Sequence, residues 1–180
     1  EPPLLAIVST RPEFLGLPWE LLNNGGDTYL ASQLDGISRR VSSDLLESFP
    51  GKLPTDQLNV LMLLPPSSDG TGSIASEALT ALESLPISAE LDCLRPSTES
   101  SLRDHLSNRH AHYHLTHLDG FTIDSQGIHM EDGTGGYQAI SADSLAATLT
   151  SAQTPVVLIN ASSSSPLDCV MSFAAELSQN

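Results

Sequence analysis

Two cysteines in 180 residues, Cys93 and Cys169, are too few for a disulfide scaffold. With no secretory leader at the start, the expected location is a reducing cytoplasm, and the opening at Glu1 reads as a processed or excised piece. Basic residues are scarce as well. Seven Lys and Arg against 22 Asp and Glu leave a formal net charge of −15. So acidic a body repels phosphate backbones unless its cations cluster, and here only Arg39 and Arg40 are adjacent. Nucleic acid is therefore not an expected partner. No apolar run is long enough to cross a bilayer, which removes the membrane as well. Phosphate-cradling loops are missing. Gly70-Thr71-Gly72 lacks the third glycine and the acidic partner of a dinucleotide fingerprint, and Gly133-Thr134-Gly135-Gly136 does not lie between a strand and a helix. Both read as turns, and no cofactor is expected.

What is present is a chain with 39% hydrophobic residues, too apolar for disorder and long enough to bury a core. Residues 1–57 read as an N-terminal strand and hairpin part. Leu4–Ser9 is a short strand, Pro18 opens a helical turn through Leu22, and Tyr29–Ser43 alternates loosely as a hairpin or edge pair. From residue 58 to 180 strands and helices alternate. The run Asn59–Leu64 is apolar without interruption, as a strand covered on both faces must be. A helix over Ser73–Leu85, a strand over Ile87–Leu94 and a helix over Thr98–Asn108 follow, with Thr98 as N-cap. His112–Thr116 reads as the third strand, with His117 at its carboxyl end, and Leu118–Gly136 as a loop or β-arm. A helix over Ile140–Leu149 with Ser141 as N-cap, a strand over Pro155–Asn160 and a helix over Leu167–Leu177 complete the order. The expected class is α/β with a mostly parallel central sheet. Chemistry then belongs at the carboxyl ends of the strands, where His117 and Ser162 fall.

Of six histidines, His110, His112 and His114 would share one face of a strand and offer two or three metal ligands, with Asp119 and Asp124 nearby. The alternative is a solvated strand face. His117, just before Asp119-Gly120, is placed as a catalytic base would be. Ser162, two residues past Asn160, is placed as a nucleophile would be, although Ser162–Ser165 also reads as a plain serine-rich loop. The glycosylation triplet Asn160-Ala161-Ser162 abuts a buried strand and is discounted. Cys93 and Cys169 are weaker nucleophile candidates, Cys169 reading as a small buried hydrophobe.

Several segments in series resemble a CHAT domain, the caspase-like, separase-related cysteine peptidase family. They are Leu17-Pro18-Trp19-Glu20-Leu21-Leu22, Ile37-Ser38-Arg39-Arg40, the strand Leu58–Leu64, His114-Leu115-Thr116-His117, the arm Ile128–Gly133, Ile140–Leu145 and Val156–Ser162. The resemblance covers nearly the whole chain. It implies a caspase-like three-layer sandwich and peptide-bond hydrolysis by a His–Cys dyad. The family's histidine falls on His117, followed here by Leu118 in place of glycine, and the family's cysteine falls on Ser162. Leu118, Asp119 and Asn160 are then the candidates for oxyanion or orienting groups. A hydroxyl needs a better-placed base than a thiol does, so the pair is expected to be inactive as it stands, through engineering or as a natural pseudoenzyme. The resemblance further implies a polypeptide substrate and a further strand and helix after Asn180; the charge of acidic groups such as Asp119 would favour a basic side chain next to the cleaved bond. Another chain supplying those elements is one way to complete the sheet. Members are often fused to sensor modules in defence and signalling systems. A non-catalytic protein-interaction scaffold and a histidine-cluster metal-binding domain are the alternative functions.

Overall fold

The computed structural model of the chain describes residues 4–9, 11, 14, 17, 19–23, 28–34, 36–41, 56–65 and 78–178. It contains two compact units, Glu1–Leu46 and Glu47–Ser178. In the first, β1 (Leu4–Ser9) pairs in parallel with β2 (Gly36–Val41), Leu4 standing opposite Gly36. Of the hairpin or edge pair expected over 29–43, no hairpin is found among the described residues. Leu30–Gln33 is a short 3-10 turn, and the strand that follows joins β1 instead. Parallel neighbours need a long crossover, which the intervening residues supply, and the loose alternation in 29–43 carried no turn signal strong enough to fix a hairpin. The helical turn expected after Pro18 is a 3-10 turn, Trp19–Leu21. Trp19 donates its indole N–H to the Phe14 carbonyl at 3.0 Å and meets the Phe14 ring edge-on, at 4.7 Å between centroids.

The second unit is a mixed α/β fold whose central sheet is parallel and flanked by helices. The sheet holds β3 (Gln57–Leu63), β4 (Ser88–Leu94), β5 (Leu115–Asp119) and β9 (Val156–Asn160) in the order β4-β3-β5-β9. A separate antiparallel sheet holds β6 (Ile123–Asp124), β7 (Gly127–Glu131) and β8 (Tyr137–Ile140), realising the arm. Strand β3 explains the central position of its apolar run. Leu61 and Leu63 face a core shared with Leu118, while Val60 and Met62 face the other way and are buried too. Three helices close that core: α1 (Glu99–Ser107) with Leu102 and Leu106, α2 (Ala142–Ser151) with Leu145 and Leu149, and α3 (Leu167–Leu177) with Phe173. Each buried leucine of this kind contributes about 1.5–3 kcal/mol. Both expected caps are made. Thr98 accepts from the Ser101 N–H at 3.0 Å, and Ser141 accepts from the Ser144 N–H at 3.2 Å. Backbone over residues 78–83 is helical, within the expected 73–85; residues 73–77 lie outside the described ones. Among the described residues no helix is long and apolar enough to cross a membrane.

The third parallel strand is displaced from its expected place. It runs Leu115–Asp119, not His112–Thr116, so His117 is its middle residue, between Met62 of β3 and Leu158 of β9. Alternation within Leu115–Asp119 sends Thr116 and Leu118 to the core side, and Leu118 is fully buried there. Residues 109–114 form turns instead. Tyr113 from this stretch is buried and donates its hydroxyl to Asp92 of β4 at 2.5 Å, while Arg109 donates to the same carboxylate at 2.6 Å. Burial and the bond to Asp92 push the Tyr113 phenol up to about 12, so it stays a donor and fastens the sheet's outer strand to the end of α1. The last parallel strand, apolar in sequence, is an edge strand among the described residues, and Leu158 is 49% exposed on it.

The β6–β7 turn depends on Gly127, whose φ of 131° few side chains tolerate and whose absent Cβ would collide with the Ile140 carbonyl. Gly133 has φ 79° but open space around it. Gly133→Ala should therefore cost about 1–2 kcal/mol, from backbone strain alone. Gly127→Ala should cost clearly more, because β8 must move. Urea unfolding of the two variants tests this, and equal losses would sink the argument.

Candidate functional site at the carboxyl edge of the parallel sheet

The pairing of β5 with β9 continues past the ends of both strands. The Gly120 N–H donates to the Asn160 carbonyl at 2.7 Å, and the Ser162 N–H donates to the Phe121 carbonyl at 2.8 Å. These bonds hold Ser162 beside the chain leaving β5. Gly120 makes that departure possible with φ 77°, where a Cβ would press on the Pro65 ring at 3.3 Å. Pro65, Gly120, Thr122 and Ser162 thereby frame a cavity of about 430 Å³ at the carboxyl ends of β3, β5 and β9. The antiparallel sheet supplies the remaining wall. His129 and Glu131 fall on one face of β7, with Tyr137 of β8 opposite Glu131, while Ile128 and Met130 point into the core. His129 and Tyr137 reach the cavity; Glu131 accepts from the Ser97 N–H at 2.9 Å.

Ser162 is half-buried and its Oγ lies 3.0 Å from the Ser164 Oγ. His117 does not line this cavity. Its Nε2 is buried without a hydrogen-bond partner and lies 3.9 Å from Asp119 Oδ1, too far for a hydrogen bond. Asp119 is itself buried, and its Oδ1 accepts from Asn160 Nδ2 at 2.5 Å. The structure thus gathers His117, Asp119 and Asn160, leaves Leu118 in the core, and gives the Ser162 hydroxyl a different partner. Burial holds His117 below its ordinary value, with the Asp119 carboxylate opposing the shift. Asp119 is not among the residues lining the cavity, so it does not supply there the carboxylate expected to meet a basic side chain. Asn160, bonded through the nitrogen that a glycan would occupy, is engaged in the fold.

The histidine-rich segment does not make a metal face. His110–His112 lie in a turn and His114 at a bend, so the shared strand face on which the three ligands depended is absent. His114 Nδ1 accepts from the Asn59 N–H at 2.9 Å. Among the described residues no group of three or more His, Cys, Asp or Glu could hold a metal ion. Cys93 is exposed and Cys169 half-buried, both as free thiols. Burial raises each above its ordinary value, so neither is an activated thiolate.

His129 was not singled out in the sequence, although Ile128–Glu131 alternates and Gly133–Gly136 marks a turn before Tyr137. Those two signals together place His129 and Tyr137 on one face. Its Nε2 pairs with Asp124 Oδ2 at 2.8 Å. The N–H of Gln126 and then His129 hold the Asp124 carboxyl below the usual carboxylate range. A carboxylate only accepts, so Nε2 of the neutral ring carries the hydrogen and Nδ1 is left as an acceptor. No family model, no curated protein and no solved structure matches the chain.

The depressed His117 has a consequence for stability. Below its ordinary value of about 6.5 the unfolded chain takes up a proton before the folded one does, so stability falls with pH until the folded imidazole also protonates. Urea midpoints measured from about pH 7.5 down to about 5 should decline, and His117→Gln should flatten the decline. Some slope should remain from His105, depressed by burial and by Arg109. Identical slopes for both proteins would show that His117 is not a titrating group in that window.

Proposed function

We propose that the chain is a CHAT-like domain, a caspase-like three-layer sandwich in its full form, that binds an extended polypeptide and does not cleave it. The observation that carries this reading is the placement of Ser162 at the end of β9, next to β5 and bonded to the residue after Gly120. Adjacent parallel strands bearing His117 and Ser162 are what the resemblance implies for the peptidase dyad. Ser162 lacks the thiol, its Oγ is taken by Ser164, and the His117 Nε2 is buried beside Asp119. A hydroxyl whose expected base, His117, does not line the same cavity is a poor nucleophile for the expected dyad, which favours the interaction scaffold over the peptidase. Along β9 the outer edge offers Leu158 and unpaired ladder positions among the described residues, suited to an added strand from a protein partner or another chain. Two free thiols suit a reducing, cytoplasmic setting.

The test is cleavage of mixed peptide substrates by this chain and by Ser162→Cys, alongside fluorescence anisotropy with labelled extended peptides. Neither protein should cleave, and both should bind peptide. Hydrolysis that appears with the thiol and disappears again on His117→Ala would replace this reading with an intact cysteine-peptidase site inactivated only at Ser162. Absence of peptide binding by the folded protein would remove the polypeptide partner.

A further inference from the structure

We propose that the cavity beside Ser162 is the specificity pocket of the polypeptide site and receives an uncharged side chain of the tyrosine type. This rests on the polypeptide-binding reading. A cavity of about 430 Å³ lies within the ~300–1,000 Å³ range of ligand pockets and accommodates one large side chain. Its lining is the first argument. In a chain of net charge −15, none of the described residues around this cavity is Asp, Glu, Lys or Arg. Glu131, the acid on the same face of β7, is turned to the Ser97 N–H, and Asp119 is buried against Asn160. The neighbouring cavity of about 420 Å³ contrasts with it, being lined by Asp124, Asp168 and Glu176. A charged group entering the first cavity would lose water and gain no counter-charge from the described lining residues.

The second argument is the pairing of surfaces. Pro65 and Tyr137 give the cavity apolar and aromatic walls, and Tyr137 is 54% exposed, with ring surface open to stacking. His129 also lines the cavity, and a neutral ring whose Nε2 hydrogen is committed to Asp124 has its acceptor at Nδ1. The Thr122 and Ser162 hydroxyls adjust as donor or acceptor. A phenol matches both: its ring meets the apolar walls and its hydroxyl donates to His129 Nδ1. A phenylalanine-type ring fills the same space but leaves that acceptor unpaired, and a lysine or arginine head group finds no carboxylate among the described lining residues.

The experiment titrates the folded protein with 4-methylphenol, toluene and butylguanidinium at neutral pH, following backbone amide shifts by NMR. Saturable shifts with 4-methylphenol at Thr122, His129 and Ser162 are expected, with a Kd on the order of millimolar for so small a probe. Toluene should bind about tenfold more weakly at the same residues, for want of the hydrogen bond. Butylguanidinium should leave them unmoved. His129→Ala should bring 4-methylphenol down to the toluene level, and the comparison of the three probes on the unaltered protein stands even if that variant does not fold. Equal binding of 4-methylphenol and toluene, shifts that map elsewhere, or preference for the cation would each overturn the assignment. Peptides that bind while 4-methylphenol does not would also overturn it and leave the polypeptide reading standing. A cavity that takes 4-methylphenol in a protein that binds no peptide would uphold the pocket chemistry and defeat only that reading.

Discussion

Two backbone hydrogen bonds organise the functional edge of this fold, Gly120 N–H to Asn160 and Ser162 N–H to Phe121. Each contributes modestly by itself, about 0.5–1.5 kcal/mol net. Their effect is positional. They extend the β5–β9 ladder beyond its regular strands and so fix where the chain may turn. Everything at the carboxyl edge follows: the left-handed Gly120 under Pro65, the direction of Phe121 into the core, and the arm that brings His129 and Tyr137 back over Ser162. The Asp119–Asn160 side-chain bond at 2.5 Å doubles the same connection, between residues facing each other in register.

Much of the fold was legible because its causes are local. The uninterrupted apolar run 59–64 could be satisfied only in the middle of a covered sheet, and its residues from 60 to 64 are buried. Thr98 and Ser141 announced their helices by side-chain chemistry that acts within three residues. The misread elements depend on distant partners. Leu115–Asp119 is a strand because Met62 and Leu158 flank it, and the acidic Asp119 is tolerated because Asn160 arrives from 41 residues away. Histidines at alternate positions looked like a strand face, yet Ala111 adopts φ 54° there and donates to Ala152 at 2.8 Å, which turns the chain. Residues 36–41 joined β1 by a pairing that nothing in their own composition marks.

The candidate site divides along the same line. That Ser162 lies just beyond the last parallel strand was readable from where the apolar run ends. Its company was not. His117 follows the period of β5 to a half-buried position beside Asp119, whereas His129 reaches the cavity through a hairpin whose register is set by Gly127 and the Ile128–Ile140 pair. A spacing argument sees both histidines at comparable distances in sequence. Only sheet register separates the imidazole held beside the buried Asp119 from the one that lines the cavity.

The walls of the cavity come from widely separated stretches of chain: Pro65, the 120–122 turn, His129, Tyr137 and Ser162. No subset of them is contiguous enough to pre-form it. Parallel pairing across long separations is intrinsically slow to nucleate, since loop closure must precede the contacts that reward it. During vectorial synthesis on a ribosome, β3 and β5 can meet while β9 is still inside the exit tunnel. The edge of β5 is then bare for the time needed to add some forty residues, and the pocket comes into being only when the last strand emerges and docks.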